Sequence, residues 1–288
     1  MEKTNLERVT VPVILSRKSS VRKISAVTAY DYSFARLVDQ AGVEMILVGD
    51  SLGSVVQGLD TTLGVTLDEM IYHCRCVTRA VQRALVVGDL PFLTYQISPE
   101  QAMLSAGRLL KEGGVSAVKL EGGVAMAATI ARLTAVDIPV IGHVGLTPQS
   151  VHRMGGYKVQ GRVHSNSRRQ GSWEKVIADA KAVQDAGAFA IVLEGICSEL
   201  AHEITTTLQI PTIGIGAGVQ CDGQILVLND LLGMGEGDSP RFVKKYADLR
   251  STVTSALQSY VAEVEGGKFP TALHEYRMPE NRKLKRAS

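Results

Sequence analysis

Four acidic residues in this chain each come at the end of a short apolar run. These residues are Asp50, Asp89, Glu121 and Glu194, and the runs that precede them have the length and β-branched content of buried strands. In a parallel α/β barrel the carboxyl ends of the strands meet at one mouth, where metal ligation and acid–base chemistry take place. The pattern therefore predicts an enzyme whose site is built from carboxylates.

Three of these carboxylates, Asp50, Asp89 and Glu121, would end neighbouring second, third and fourth strands, which lie about 4.8 Å apart. Carboxylates so close together repel one another and raise one another's pKa unless a cation is present. An open, oxygen-rich site suits Mg²⁺, and the absence of accompanying His or Cys disfavours zinc. The alternative is that these residues are helix N-caps or salt-bridge partners.

Lys119 lies two residues before Glu121, so both side chains point to the same face of the fourth strand. Facing inward, its ammonium group would meet an anionic substrate or a developing enolate, or it would pair with one of the carboxylates. Ser51, directly after Asp50, could donate hydrogen bonds to a carboxylate or phosphate, although alone it is an ordinary loop serine.

Glu194 would close the sixth strand, across the mouth from the second to fourth strands. This separation makes it a better candidate for a general base than for a fourth metal ligand, with an N-cap or salt-bridge role as the alternative. His143, after the fifth strand, could hydrogen-bond a substrate or serve only a structural role.

Apolar strand-like runs alternate with amphipathic or alanine-rich stretches along the whole chain, which favours a (β/α)₈ barrel over a doubly wound sheet. The predicted strands are 24–28, 43–48, 84–88, 117–120, 140–142, 189–193, 212–214 and 225–228. The predicted helices are 32–41, 67–81, 99–112, 124–135, 173–186, 198–208 and 240–264. We expect residues 1–20 to form an N-terminal extension, 21–276 one barrel domain, and 277–288 a basic tail.

Two long loops, 51–66 and 145–171, follow the second and fifth strands and should border the catalytic mouth. The glycine-rich stretch 214–218 fails the dinucleotide fingerprint, because Val219 occupies the third glycine position. A tight loop that lets the backbone approach a ligand is the better interpretation.

Composition excludes several other classes. The formal net charge of +2 argues against a dedicated nucleic-acid binder. No apolar stretch is long enough for a transmembrane helix, and no secretory signal is present. The four cysteines lack a zinc-like pairing and are typical of reduced thiols in the cytoplasm or an organelle matrix; a transit peptide within residues 1–18 is weakly supported.

The chain also resembles the ketopantoate hydroxymethyltransferase family over about residues 20 to 275. The resemblance is carried by ordered blocks that surround the candidate residues: TAYDYSFA from Thr28, VGDSLG from Val48, GDLPF from Gly88, VKLEGG from Val118, GHVGLTPQS from Gly142, GGYKVQGR from Gly155, IGIGAG from Ile213 and DGQ from Asp222.

The resemblance implies a magnesium-dependent (β/α)₈ TIM barrel of the phosphoenolpyruvate mutase/isocitrate lyase type, usually decameric. It implies hydroxymethyl transfer from 5,10-methylenetetrahydrofolate to 3-methyl-2-oxobutanoate, giving ketopantoate for pantothenate biosynthesis; the cysteine usage leads us to expect a cytoplasmic protein. By residue match, Asp50, Asp89 and Glu121 form the metal site, and Glu194 accepts the proton. Asp50, Ser51, Asp89 and Lys119 contact the oxo acid, with His143 as a further candidate from its position.

Two rival interpretations are weaker. A C–C lyase or phosphomutase of the same superfamily would carry a cysteine on a mobile loop after the third strand, where residues 90–95 contain none. A non-catalytic barrel that serves as a binding or scaffold protein would be expected to have lost a metal carboxylate or Lys119, and all are present.

Overall fold

The structure, a computed structural model, describes residues 7–161, 170–237 and 239–278 of the chain. Its centre is a closed barrel in which eight parallel strands follow one another in sequence order. The strands are β1 Ile24–Thr28, β2 Met45–Val48, β3 Leu85–Asp89, β4 Ala117–Glu121, β5 Val140–Gly145, β6 Ala190–Glu194, β7 Thr212–Ile215 and β8 Gly223–Leu226. The predicted barrel is confirmed and the doubly wound sheet is wrong.

Helices follow or flank the strands. They are α1 Val11–Leu15, α2 Tyr32–Gln40, α3 Leu52–Val55, α4 Leu67–Thr78, α5 Pro99–Lys111, α6 Ala127–Thr134, α7 Val151–Met154, α8 Gln170–Asp185, α9 Ser198–Thr207, α10 Leu228–Leu231 and α11 Leu249–Glu265, with short 3₁₀ helices Thr62–Gly64, Val124–Met126, Pro148–Ser150 and Ala272–His274. Within the described ranges, every helix is too short or too polar to cross a bilayer.

The predicted helix over 240–264 is wrong in its first third. Residues 240–248 instead form an irregular segment, because Tyr246 N–H donates to Leu231 O at 2.8 Å and Leu249 N–H donates to Leu232 O at 2.9 Å. The helix begins only at Leu249, where the Asp248 side chain accepts a hydrogen bond from the Ser251 N–H. The predicted N-terminal extension, second long loop and basic tail lie partly outside the described residues, at 1–6, 162–169 and 279–288.

Alternation along the strands divides the core into two layers. Side chains such as Met45, Leu47, Leu85, Val87 and Ile141 form one cluster inside the barrel. Their neighbours pack outward against the helices in a second, larger cluster. On β3 to β6 the inward positions change from apolar to polar at the carboxyl ends, so the strand pattern itself delivers the candidate residues to the mouth.

The amino ends of the strands are closed by the segment that begins the described chain. Ile14 of α1 is fully buried and belongs, with Val9, to the cluster inside the barrel. Val9 and Ile14, which the sequence assigns to an extension, thus pack into the barrel's interior core.

The same segment is tied to the barrel by Asp222, whose side chain is buried. Its Oδ1 accepts from Ser19 N–H at 3.0 Å, and its Oδ2 accepts from Lys18 Nζ and from Thr212 N–H, both at 2.9 Å. Burial alone would raise the pKa of Asp222, but these donors outweigh it and lower the pKa. The stabilisation is therefore fully present above the unfolded-state pKa of about 3.9 and is lost as the pH falls through the lower folded-state value.

We expect Asp222→Asn to lower the free energy of unfolding at pH 7 by about 1–3 kcal/mol, because the charged hydrogen bonds are weakened. The difference from the unsubstituted protein should shrink as the pH falls below about 4. Urea unfolding at pH 7 and at pH 3.5 measures both quantities. A difference that does not change with pH would contradict the assignment of the stabilisation to the ionised carboxylate.

Candidate active site

A cavity of about 750 Å³ opens at the carboxyl ends of the strands. The predicted site residues all line it: Asp50, Ser51, Asp89, Lys119, Glu121, His143 and Glu194. Both predicted long loops contribute to its walls, with Ser54 and Thr62 from the first loop and Pro148 and Tyr157 from the second. The structure therefore brings together every side chain that the sequence singled out.

Asp89 and Lys119 form a buried ion pair at the centre of this site. The register of β3 and β4 places the two residues side by side, and Lys119 Nζ lies 2.8 Å from both Asp89 carboxylate oxygens. Burial disfavours the ammonium ion, but Asp89, Glu121 and Asp50 outweigh it and raise the pKa of Lys119. Lys119 is therefore a fixed cation, and its predicted pairing with a carboxylate is confirmed.

Asp50 and Glu121 share a different partner, Gln149. Its side-chain Nε2 donates to Asp50 Oδ2 at 2.9 Å, and its backbone N–H donates to Glu121 Oε2 at 3.0 Å. Burial, followed by the nearness of Asp89 and Glu121, raises the pKa of Asp50 to about 8. The site thus holds more negative charge than its own groups neutralise, which favours a bound cation.

The sequence patterns single out side chains that could ligate a metal, transfer a proton or donate to a substrate. Sequence reasoning therefore missed Gln149 and Tyr95, which do not titrate near neutral pH. Tyr95 OH donates to Gln149 Oε1 at 2.7 Å, and Glu121 N–H donates to the same phenol oxygen at 3.2 Å. These contacts, with a further one from Gln96, orient the amide so that its nitrogen faces Asp50. The one available signal was that Gln149 falls in a loop already expected at the mouth.

Ser51 is hydrogen-bonded to a second phenol, that of Tyr30. Its Oγ lies 2.9 Å from Tyr30 OH, and burial raises the pKa of Tyr30 to about 12, so the phenol stays protonated. Tyr30 can therefore donate to Ser51, which leaves the serine hydroxyl proton free to point to a ligand.

His143 lies between Glu194 and Glu121. Its Nε2 is 3.2 Å from Glu194 Oε2 and its Nδ1 is 3.6 Å from Glu121 Oε1, although neither contact is well aligned as a hydrogen bond. Burial opposes protonation, but the two carboxylates outweigh it and raise the pKa of His143 to about 9. The ring thus connects the carboxylate cluster to Glu194, whose side chain keeps 17% of its surface exposed.

The donor set fits a hard divalent cation. Glu121 Oε1 is buried and has no hydrogen-bond partner, and the remaining donors are carboxylate oxygens. Across the described residues, no group of three or more His, Cys, Asp or Glu side chains is arranged to hold a metal ion. The fit is therefore to a cation that takes one or two carboxylates and completes its shell with water and substrate, as Mg²⁺ commonly does.

Comparison with known proteins places this site in a family. The sequence profile of ketopantoate hydroxymethyltransferase matches residues 8–272. The chain belongs to this family. It is 57% identical to the 3-methyl-2-oxobutanoate hydroxymethyltransferase of Pelobacter propionicus, over 94% of this chain and 98% of the relative. It is 52% identical to the enzyme of that name from Syntrophomonas wolfei, over 96% and 98% of the two chains.

Solved structures show the same fold at low identity. A phosphonopyruvate hydrolase complexed with oxalate and Mg²⁺ superimposes with a TM-score of 0.59 at 14% identity, over 89% of this chain and 87% of the other. A 2,3-dimethylmalate lyase, described as a member of the PEP mutase/isocitrate lyase superfamily, gives 0.56 at 15% identity, over 95% and 89%. This member of the hydroxymethyltransferase family thus has the expected barrel type.

Gln149 provides a test of how this member of the family holds its carboxylates. We expect Gln149→Ala to lower the free energy of unfolding by about 1–3 kcal/mol, because buried atoms of Asp50 and Tyr95 lose their partner. Gln258→Ala, on an exposed face of α11, should change it by less than about 0.5 kcal/mol. Urea denaturation of both variants measures the difference, and equal stabilities would show that Gln149 does not hold the cluster.

Proposed function

We propose that this chain transfers a hydroxymethyl group from 5,10-methylenetetrahydrofolate to C3 of 3-methyl-2-oxobutanoate, giving ketopantoate in pantothenate biosynthesis, through a magnesium-stabilised enolate. Membership of the ketopantoate hydroxymethyltransferase family supports this reaction. The observation that carries the chemistry is the buried Lys119 ammonium, which pairs with Asp89 in the cavity that Asp50 also lines. A further carboxylate, Glu194 on β6, lies across this cavity. No cysteine is among the described residues that line the cavity, so the expected lyase signature is lacking there.

The oxo acid would bind between Ser51, Asp50, Asp89 and Lys119. Its carboxylate can accept hydrogen bonds from the Ser51 hydroxyl and backbone, and the Lys119 ammonium faces the ketone oxygen, where negative charge develops. Because Lys119 is already fixed by Asp89, little reorganisation is needed as this charge appears. His143 would contribute by orienting Glu194, which lies 3.2 Å away.

Asp50, Asp89 and Glu121 would hold the magnesium ion, one or two of them directly and the rest through bound water, together with the oxo acid. When bound, Mg²⁺ polarises a chelated ketone and stabilises the enolate charge, which contributes several kcal/mol to such reactions. The raised pKa of Asp50 and the unpartnered Glu121 oxygen support a cation at this place.

Glu194 would remove the C3 proton. It is the one predicted site carboxylate outside the group on β2 to β4, and its partial exposure leaves one face of the carboxylate open to the cavity. A base placed opposite the charge-stabilising groups can take the proton without pairing with the Lys119 ammonium, a contact that would lower its basicity.

Incubation with oxo acid, Mg²⁺ and methylenetetrahydrofolate should yield ketopantoate, detected by mass spectrometry. Glu194→Gln should lower turnover and deuterium exchange at C3 by about 10²–10⁴-fold while oxo-acid affinity stays nearly unchanged. The exposed Glu199→Gln is the matched control and should behave like the unsubstituted protein. Undiminished exchange in Glu194→Gln would remove Glu194 from the role of base.

Magnesium binding is tested at Asp50. Asp50→Asn should weaken the binding of Mg²⁺ and of the oxo acid together. Loss of an outer-sphere partner already lowers metal affinity about 10- to 100-fold, so the loss of a proposed ligand should lower it by at least this factor. The melting temperature should not fall, because the neutral amide removes repulsion with Asp89 and Glu121. Calorimetric titration beside a thermal melt, with the exposed Asp60→Asn as control, measures this. Unchanged metal affinity would contradict the proposed ligand.

We also infer that the protein is a cytoplasmic homo-oligomer, with a decamer as the expected form from the family resemblance. An exposed apolar face on α11, which includes Val253, Leu257, Tyr260, Val261 and Val264, supports self-association. Apolar patches of this kind on a helix are commonly covered by another subunit.

A further inference from the structure

The chemistry proposed above uses the side of the cavity formed by β2 to β6. The other side, which we call the β7–β8 wall, is formed by Ile215, Gly216, Ile225, Asp230 and Phe242. It is largely apolar and carries one carboxylate. A five-carbon oxo acid does not need a cavity of about 750 Å³, so this wall is available to a second, larger ligand.

Asp230 lies on α10, and its side chain is half-buried at the edge of the cavity. Its carboxylate has no hydrogen bond and no salt bridge to any residue that the structure describes. Burial raises the pKa of Asp230, and only the charge of Lys245 opposes this effect. A half-buried carboxylate without donors is unfavourable, and a ligand that offers N–H groups would relieve this cost.

Phe242 lies against the glycine loop that follows β7. Gly216 has φ +61°, and a Cβ at this position would come within 2.9 Å of the Phe242 ring. Glycine is therefore needed here both for the backbone conformation and for the close approach of the ring. The result is an aromatic surface on the cavity wall, 41% exposed, on a segment that is hydrogen-bonded to α10, the helix of Asp230, through Tyr246 N–H and Leu231 O at 2.8 Å.

Arg241, directly before Phe242 in the chain, also lines the cavity, is exposed, and forms no salt bridge with a described carboxylate. Acceptor, aromatic surface and cation thus all belong to one side of the cavity. Methylenetetrahydrofolate has the complementary groups: a ring edge with two parallel N–H donors at one end, the planar pyrimidine ring of the reduced pteridine, and glutamate carboxylates at the other end.

We propose that the β7–β8 wall is the folate subsite. Asp230 accepts both N–H donors of the 2-amino-4-oxo pteridine edge, Phe242 packs against the ring, and Arg241 pairs with the glutamate. The paired N–H···O geometry is that of bidentate guanidinium–carboxylate contacts. The subsite adjoins β6, where Glu194 faces C3, so the methylene carbon can reach the oxo acid. This inference rests on the proposed hydroxymethyl transfer.

The test separates folate binding from oxo-acid activation. Asp230→Asn should lower kcat/KM for methylenetetrahydrofolate by about 10- to 100-fold, because a charge-assisted pair is lost. Magnesium-dependent deuterium exchange at C3 of the oxo acid, measured without folate, should be unaffected. The control is Asp137→Asn, an exposed aspartate in the connection before β5.

A second substrate distinguishes the two ends of the folate. Arg241→Gln should lower kcat/KM with methylenetetrahydrofolate but not with methylenetetrahydropteroate, which lacks the glutamate; Asp230→Asn should impair both substrates. Unchanged folate kinetics in Asp230→Asn, or an equal loss of C3 exchange, would overturn the subsite. If the unsubstituted protein neither exchanges the C3 proton nor transfers the group, the proposed function itself fails instead.

Discussion

The burial of several carboxylates at one place is the constraint on which the rest of the site depends. Asp50, Asp89 and Glu121 are each at most 6% exposed. Burial and neighbouring carboxylates raise the pKa of Asp50 and Asp89, whereas His143, Lys119 and Gln149 outweigh burial and lower the pKa of Glu121. Two residues compensate them: Lys119 pairs with Asp89, and Gln149 donates to both Asp50 and Glu121. Asp50 has no described cationic side chain bonded to it directly, and burial with the nearness of Asp89 and Glu121 raises its pKa to about 8, so a cation would be accommodated beside it.

The barrel makes this burial possible because the residues that stabilise the core and the residues of the site occupy different ends of the same strands. The inward positions are apolar near the amino ends, where Ile14 and Val9 seal the interior, and become polar at the carboxyl ends. Parallel pairing then fixes which polar residues meet: Asp89 pairs in register with Lys119, and Glu121 with His143. The apolar core of the same strands thus offsets the free-energy cost of burying the carboxylate cluster.

The two sides of the cavity mouth also differ in polarity. Strands β2 to β6 supply charged groups, with Glu194 at their far edge, whereas the β7–β8 wall is mostly apolar and carries one carboxylate without a described partner, that of Asp230 on α10. A small, charged oxo acid and a large, flat co-substrate require different surroundings. Under the proposed function, this division would let one cavity hold both molecules without placing the pteridine against the buried ion pair.

The sequence by itself determined the barrel, most strand positions and the titratable site residues, because a buried strand that ends in a carboxylate is a local pattern. The hydroxymethyltransferase family was likewise readable from ordered motifs. Only the tertiary structure decided which groups touch. Gln149 and Tyr95 could not be found from local spacing, since they reach Asp50 and Glu121 across 99 and 26 residues of chain. The late start of α11 has the same reason: residues 240–248 follow hydrogen bonds to α10, and these long-range contacts override local helix propensity.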